Sequence, residues 1–274
     1  MNFLKKLKNK RTIYFALFGI FSAIFVFSAI LLIDYFVESA KQTGRYDELS
    51  GNKNNVQSIV DSAPTTPDGD LDPDGDYPFD VQSPILPEYQ DAYNQNNDLV
   101  GWIRIEGTVI DYPVVQHIEE KDYYLERNFD KEYSKHGCIY VREQCDVFRP
   151  SDNLIIYGHY KQDGSMFHDL HGYYKKSFWE EHKLIEFDTI YEHHTYEIIA
   201  VFKTDVSSSS FYPYHKFNNA GSIAEFNQYV TDVKNMSFYD TGVTAEYGDK
   251  LITLSTCEYT LNNGRLVVVA KQIS

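Results

Sequence analysis

TLSTCEYTLNNGRLVVVAK, residues 253–271, sets two strongly β-prone runs on either side of a polar loop. Cys257 ends the first run and Arg265 opens the second. If the runs 250–256 and 265–271 pair antiparallel, the two residues lie at the same end of neighbouring strands. Directly opposed Cβ atoms stand ~4.5–5.5 Å apart, so Arg265 can reach a group bound at the sulfur. The thiolate is the nucleophilic form of cysteine, and a cationic neighbour favours it. Arginine never loses its charge and presents its donors in a fixed fork, which suits a carbonyl or an oxyanion.

Six further strand-like runs precede this hairpin: LVGWIRI (99–105), VIDYPVV (109–115), GCIYVR (137–142), NLIIYG (153–158), LIEFD (184–188) and TYEIIAVFKT (195–204). With turn signals between them, eight strands suggest a barrel or a sandwich. Helices interrupt the pattern. Leu86, Tyr89 and Tyr93 recur at helical spacing. Ser222 caps a longer helix, Glu225 completes a capping box, and Ile223, Phe226, Tyr229, Val230 and Val233 form its apolar stripe. A shorter helical stretch spans Met166 to His182.

The N-terminus has a different character. Lys5, Lys6, Lys8, Lys10 and Arg11 precede an uncharged run from Ile13 to Ile33. At ~1.5 Å per residue this run covers the ~30 Å hydrocarbon core of a bilayer. The expected organisation is a cytoplasmic basic segment (1–11), a membrane signal-anchor (12–35), an acidic flexible stalk (36–80) and a folded domain outside the membrane (81–274). Removing residues 1–80 should then leave a domain that folds. A cleaved signal peptide is the competing reading, but Glu38-Ser39-Ala40 makes a poor cleavage site. The stalk holds seven Asp between Asp61 and Asp80, with no Lys or Arg. Asp70 to Gly75 resembles the start of a calcium loop, yet the twelfth position, which needs a bidentate acid, is Val81. A solvated acidic linker is the simpler reading.

The formal charge of −15 argues against a nucleic-acid partner, which requires a basic footprint. The three cysteines, Cys138, Cys145 and Cys257, are too few and odd in number for a disulfide framework. Cys138 reads as a buried small hydrophobe, which leaves Cys257 as the thiol to be explained. Acyl transfer also needs a group that can take and return a proton, usually histidine. Of nine histidines, His159 stands where the strand NLIIYG turns into a polar loop, a usual place for a functional group. His168 and His171 could join it as a three-histidine metal site, but no metal-type spacing supports this. No glycine-rich phosphate loop appears, so no cofactor is expected. On the residues alone, Cys257 with His159 competes evenly with two ordinary structural residues.

TLSTC (253–257) followed by Arg265 at the head of RLVVVAK resembles the active-site hairpin of the sortases, the membrane-anchored cysteine transpeptidases of Gram-positive bacteria. YGHYKQDGSMF (157–167) and NNDLVGWIRIEGTVIDYPVVQ (96–116) are similar to segments of their class B, as is a long helix ahead of the cysteine strand. The resemblance covers roughly 81–274 and implies a mainly-β fold, a closed eight-stranded barrel with peripheral helices. It also implies that Cys257 attacks the Thr carbonyl of a C-terminal sorting signal on a surface protein. His159 protonates the leaving amine, and Arg265 holds the substrate and its oxyanion. An amine of a peptidoglycan precursor then resolves the thioester. Ser255 and Glu258 resemble pocket residues, although either could simply satisfy the hairpin backbone. The resemblance implies neither metal nor cofactor. Hydrolytic cysteine peptidase, pilin-polymerising sortase and membrane-tethered binding domain are the alternatives.

Overall fold

All eight expected strands are present in the computed structural model, which describes residues 10–62, 84–209, 211–261 and 263–274. They are β1 (Leu99–Arg104), β2 (Asp111–Val115), β3 (Ile139–Val141), β4 (Asn153–Tyr157), β5 (Leu184–Thr189), β6 (Thr195–Asp205), β7 (Leu251–Glu258) and β8 (Gly264–Gln272). They close into a barrel in the order β1-β2-β3-β4-β7-β8-β6-β5, which selects the barrel over the sandwich. The pairs β2–β3 and β4–β7 are parallel and the rest antiparallel.

The apolar run of β8 shows why the barrel needs helices outside it. Leu266, Val268 and Ala270 belong to one buried cluster, while Val267 and Val269 belong to a second. Successive side chains point to opposite faces of a strand, so both faces of β8 are covered. The second cover is α4 (Ile223–Met236), which lays Phe226, Tyr229, Val230 and Val233 on the barrel. Ser222 caps α4 as expected, accepting from the Glu225 amide. The Glu225 carboxylate reaches back one residue further than in a standard capping box, to the amide of Gly221. The helix expected from Leu86 and Tyr89 is α2 (Pro87–Gln95). The stretch 166–182 divides into a 3₁₀ turn (His168–Tyr174) and the short α3 (Lys176–Glu181).

The chain ahead of α2 differs from expectation. Helix α1 runs Lys10–Ser62 and contains the segment Ile13–Val56, long and apolar enough by length and composition to cross a membrane. Residues 1–44 and Arg45–Ser274 form two compact units, so the second unit begins well before residue 81. Of the expected flexible stalk of 36–80, residues 36–62 are helical and 45–62 fall in the second unit, while 63–80 lie outside the described residues. Tyr46 and Leu49 are buried in the main core cluster. Arg45 pairs with Asp130 at 2.8 Å, and Ser50 and Lys53 both bind Asp111, at 2.6 and 3.1 Å. Burial would raise the Asp111 carboxyl, but Lys53, Ser50 and the Trp102 indole together hold it below the usual carboxylate range. With few apolar residues in this segment, composition alone reads as a linker. The acidic run with Asp70–Gly75 and the basic residues Lys5, Lys6 and Lys8 lie outside the described residues.

Candidate active site

β4 and β7 run parallel while β8 runs antiparallel to β7, so the ends of β4 and β7 and the start of β8 meet at one rim of the barrel. Cys257 and Arg265 are direct partners in the β7–β8 ladder. Register forces them onto one face of the sheet. Of the three free cysteines, Cys138 and Cys145 are buried, and burial pushes their thiols up to about 12 and about 11. Cys257 is only half-buried.

His159 reaches the same place because β4 ends at Tyr157 and Gly158 makes the turn. A Cβ on Gly158 would stand 2.4 Å from Ile139 Cδ1 and 2.6 Å from Phe167 Cδ2, so only glycine lets the chain pass this close. The Gly158 amide bonds the Ser255 carbonyl at 3.2 Å, and Phe167 folds back to bond the His159 carbonyl at 3.0 Å. These bonds fix the histidine backbone to the cysteine strand.

The imidazole Nε2 lies 2.7 Å from the Leu125 carbonyl. A carbonyl only accepts, so Nε2 carries the hydrogen and Nδ1 is the basic atom. Burial lowers the pKa of His159. The Leu125 carbonyl and Glu126 oppose this, while Lys161 and His136 add to it. The resting ring is therefore a neutral base at neutral pH.

An open cavity of about 260 Å³ has His159, Cys257 and Arg265 together in its wall. Arg265 donates from Nη1 to the Gly264 carbonyl at 2.8 Å and to Asn263 Oδ1 at 3.2 Å, which fixes its head at the rim. Ser255 also lines the cavity, and its hydroxyl shares a 2.7 Å hydrogen bond with Tyr214. Glu258 turns away instead. Its carboxylate accepts from the amides of Thr260 and Leu261 at 2.9 and 3.1 Å and so shapes the loop that leads to Arg265. Burial would raise this carboxyl, but those bonds and the Tyr174 hydroxyl lower it.

The loop between β6 and α4 contributes Val206, Phe211, Tyr214 and His215 to the wall. The Leu125 carbonyl has no sequence signature, since any residue supplies one. The positive φ of 61° at Gly137 beside it has one, a glycine just ahead of a strand. His168 and His171 do not join His159 in a metal site. His168 Nδ1 meets the Lys161 carbonyl, His171 Nε2 meets the Cys257 carbonyl, and both rings stack on Tyr160. Among the described residues no cluster could hold a metal ion.

A thiol, an imidazole and a guanidinium thus share one cavity at the rim of a closed barrel, the kinds of group that acyl transfer through a cysteine uses. A family model described as the Sortase domain matches residues 103–273. Sortase B of Staphylococcus aureus is 34% identical over 194 residues, 70% of this chain and 77% of that protein. Sortase B of Listeria monocytogenes is 33% identical over 229 residues, 83% of this chain and 88% of that protein. The structure of a Staphylococcus aureus sortase B–substrate complex superposes with a TM-score of 0.72 at 28% identity, covering 87% of this chain and 99% of that one. The chain belongs to the sortase family, in its class B, and is a cysteine transpeptidase. Members of the family act on protein substrates and cell-wall precursor acceptors.

Proposed function

We propose that Cys257, His159 and Arg265 carry the transpeptidation. The observation that bears most weight is the direct pairing of Cys257 with Arg265, with His159 in the wall of the same cavity. A sorting signal enters with the carbonyl of its Thr at the sulfur. Nδ1 of His159 takes the thiol proton as Sγ attacks, and the carbonyl becomes an oxyanion beside the Arg265 guanidinium. The intermediate collapses, the peptide C–N bond breaks, and His159 returns its proton to the leaving amine. A thioester on Cys257 remains. An amine of a peptidoglycan precursor attacks it, His159 takes up the proton of that amine, the C–S bond breaks, and the departing thiolate receives the proton from His159. The protein substrate ends joined to the wall precursor by a new amide bond.

The aromatic and hydroxyl-bearing wall around Ser255 and Tyr214 suits an extended polar peptide. Glu258 supports this site through the loop ahead of Arg265 rather than by facing the peptide. The apolar helix fits a single membrane anchor with a cytoplasmic N-terminus, given the basic residues ahead of it, and a catalytic domain on the outer side. That arrangement brings the site to surface proteins during export and to lipid-linked precursors.

The test is a trapped intermediate. A sorting-signal peptide mixed with the protein in the absence of an amine should leave an acyl mass adduct on Cys257. Cys257→Ala should show none while keeping the thermal midpoint of the parent. An adduct elsewhere, or turnover in Cys257→Ala, removes the assignment.

A further inference from the structure

The wall behind His159 is made by the loop 134–138. Gly137 has φ of 61°, and a Cβ there would stand 3.0 Å from His159 Cδ2 and 2.5 Å from the Leu125 carbonyl oxygen. The α-carbon of Gly137 thus backs the imidazole and also borders the oxygen that accepts its Nε2 hydrogen. Glycine is the least restrained residue in the backbone, so a wall made from it needs holding from outside. It is held on two sides. His136 Nε2 meets Asp163 Oδ2 at 3.0 Å, and Asp163 stands in the loop that follows His159. On the other side, the Tyr46 hydroxyl donates to the Gly137 carbonyl at 3.2 Å and lies 3.5 Å from Cys138 Sγ.

Tyr46 comes from α1, the element that also carries the apolar segment. Its side chain is buried, with its ring edge-on to Tyr112 at 5.3 Å. We infer that Tyr46 is a positioning residue for His159, acting through Gly137. This rests on the acid/base role proposed for His159. Loss of the hydroxyl frees the 137 peptide to rotate, the wall shifts, and Nδ1 leaves its working position. Misplacement of a catalytic group lowers the rate of the step it serves.

The experiment uses the full chain in detergent micelles, a sorting-signal peptide that it cleaves, and hydroxylamine as the amine. Tyr46→Phe keeps the ring and deletes only the hydroxyl. Ser50→Ala deletes a bond from the same helix to Asp111, with no contact to Gly137. His159→Ala runs in parallel. For Tyr46→Phe, kcat should fall about fivefold, the factor expected of one neutral hydrogen bond, with KM unchanged. Ser50→Ala should keep the parent kcat while lowering the thermal midpoint. Parent-like kcat in Tyr46→Phe, or an equal kcat loss in Ser50→Ala, overturns the inference. If His159→Ala is inactive in that case, the catalytic reading stands and the coupling alone fails. If His159→Ala turns over normally, the catalytic reading fails and takes the inference with it.

Discussion

Cys257 and Arg265 face each other as direct partners across the β7–β8 ladder, so thiol and guanidinium leave the sheet on the same face. The pairing makes the geometry of the arginine fork testable. Arg265→Lys keeps the charge and loses the planar set of donors. The expected result is a fall of about 10²-fold or more in kcat, the scale of losing an oxyanion donor, with the thermal midpoint little changed. Steady-state kinetics with one sorting-signal peptide decides this. Near-normal rates would mean that charge alone suffices.

The helical segment from Arg45 changes where the chain can be cut. A chain beginning at Arg45 should fold cooperatively. One beginning at residue 81 loses the buried Tyr46 and Leu49 and leaves Asp111 without Lys53 and Ser50. Loss of one large buried side chain costs about 3–5 kcal/mol, and at this domain size that lowers the thermal midpoint by roughly 10 °C. Calorimetry on the two chains compares them directly, and equal midpoints would return residues 45–62 to the role of a linker.

The neutral resting state of His159 predicts a pH dependence with a definite sign. The base form is lost only below the lowered pKa, so the acid limb of kcat/KM should have its midpoint below ~6.5, the ordinary histidine value. Stability follows the same direction. Burial lowers the pKa of His159, His171, His194 and His215 in the folded chain, so the unfolded chain binds protons first. Stability therefore falls as pH drops through ~6.5. A thermal midpoint lower near about pH 5.5 than near about pH 7.5 checks the linkage. An acid limb above the ordinary histidine value contradicts it.

Ser255 and Glu258 should separate by their effects. Ser255→Ala leaves the buried Tyr214 hydroxyl without its partner at the cavity wall, at a cost of about 1–3 kcal/mol, and should raise KM. Glu258→Ala instead removes the acceptor for two loop amides. Amide exchange at Thr260 and Leu261 should then accelerate, with a smaller fall in kcat than for Arg265→Lys. Unchanged exchange at those amides would show that the loop does not depend on the carboxylate.

The pattern of the chain made some of this visible and hid the rest for physical reasons. RLVVVAK reads as a strand because an unbroken apolar run fits a strand covered on both faces. The Cys257–Arg265 pairing follows from antiparallel register once the hairpin is assumed. His159 was legible as the first polar group beyond a buried strand. The Leu125 carbonyl was not, since backbone oxygens carry no residue code. Tyr46 was hidden because the segment around it has few apolar residues, and its polar bonds to Asp130 and Asp111 are ones composition cannot register. For Glu258 the pull of the hairpin amides was legible only as an alternative, and the geometry places the carboxylate on them.

Passage of an acyl group through Cys257 to an amine is read from the partition of products between water and amine. Water is present at ~55 M, so transfer prevails only where the site holds an amine in attacking geometry, worth effective molarities of ~10⁵ M or more. A sorting-signal peptide with hydroxylamine or a wall-type amine should give mainly the hydroxamate or amide by mass, at a rate that rises with amine concentration. Rapid hydrolysis, with neither rate nor product altered by the amine, would contradict the account.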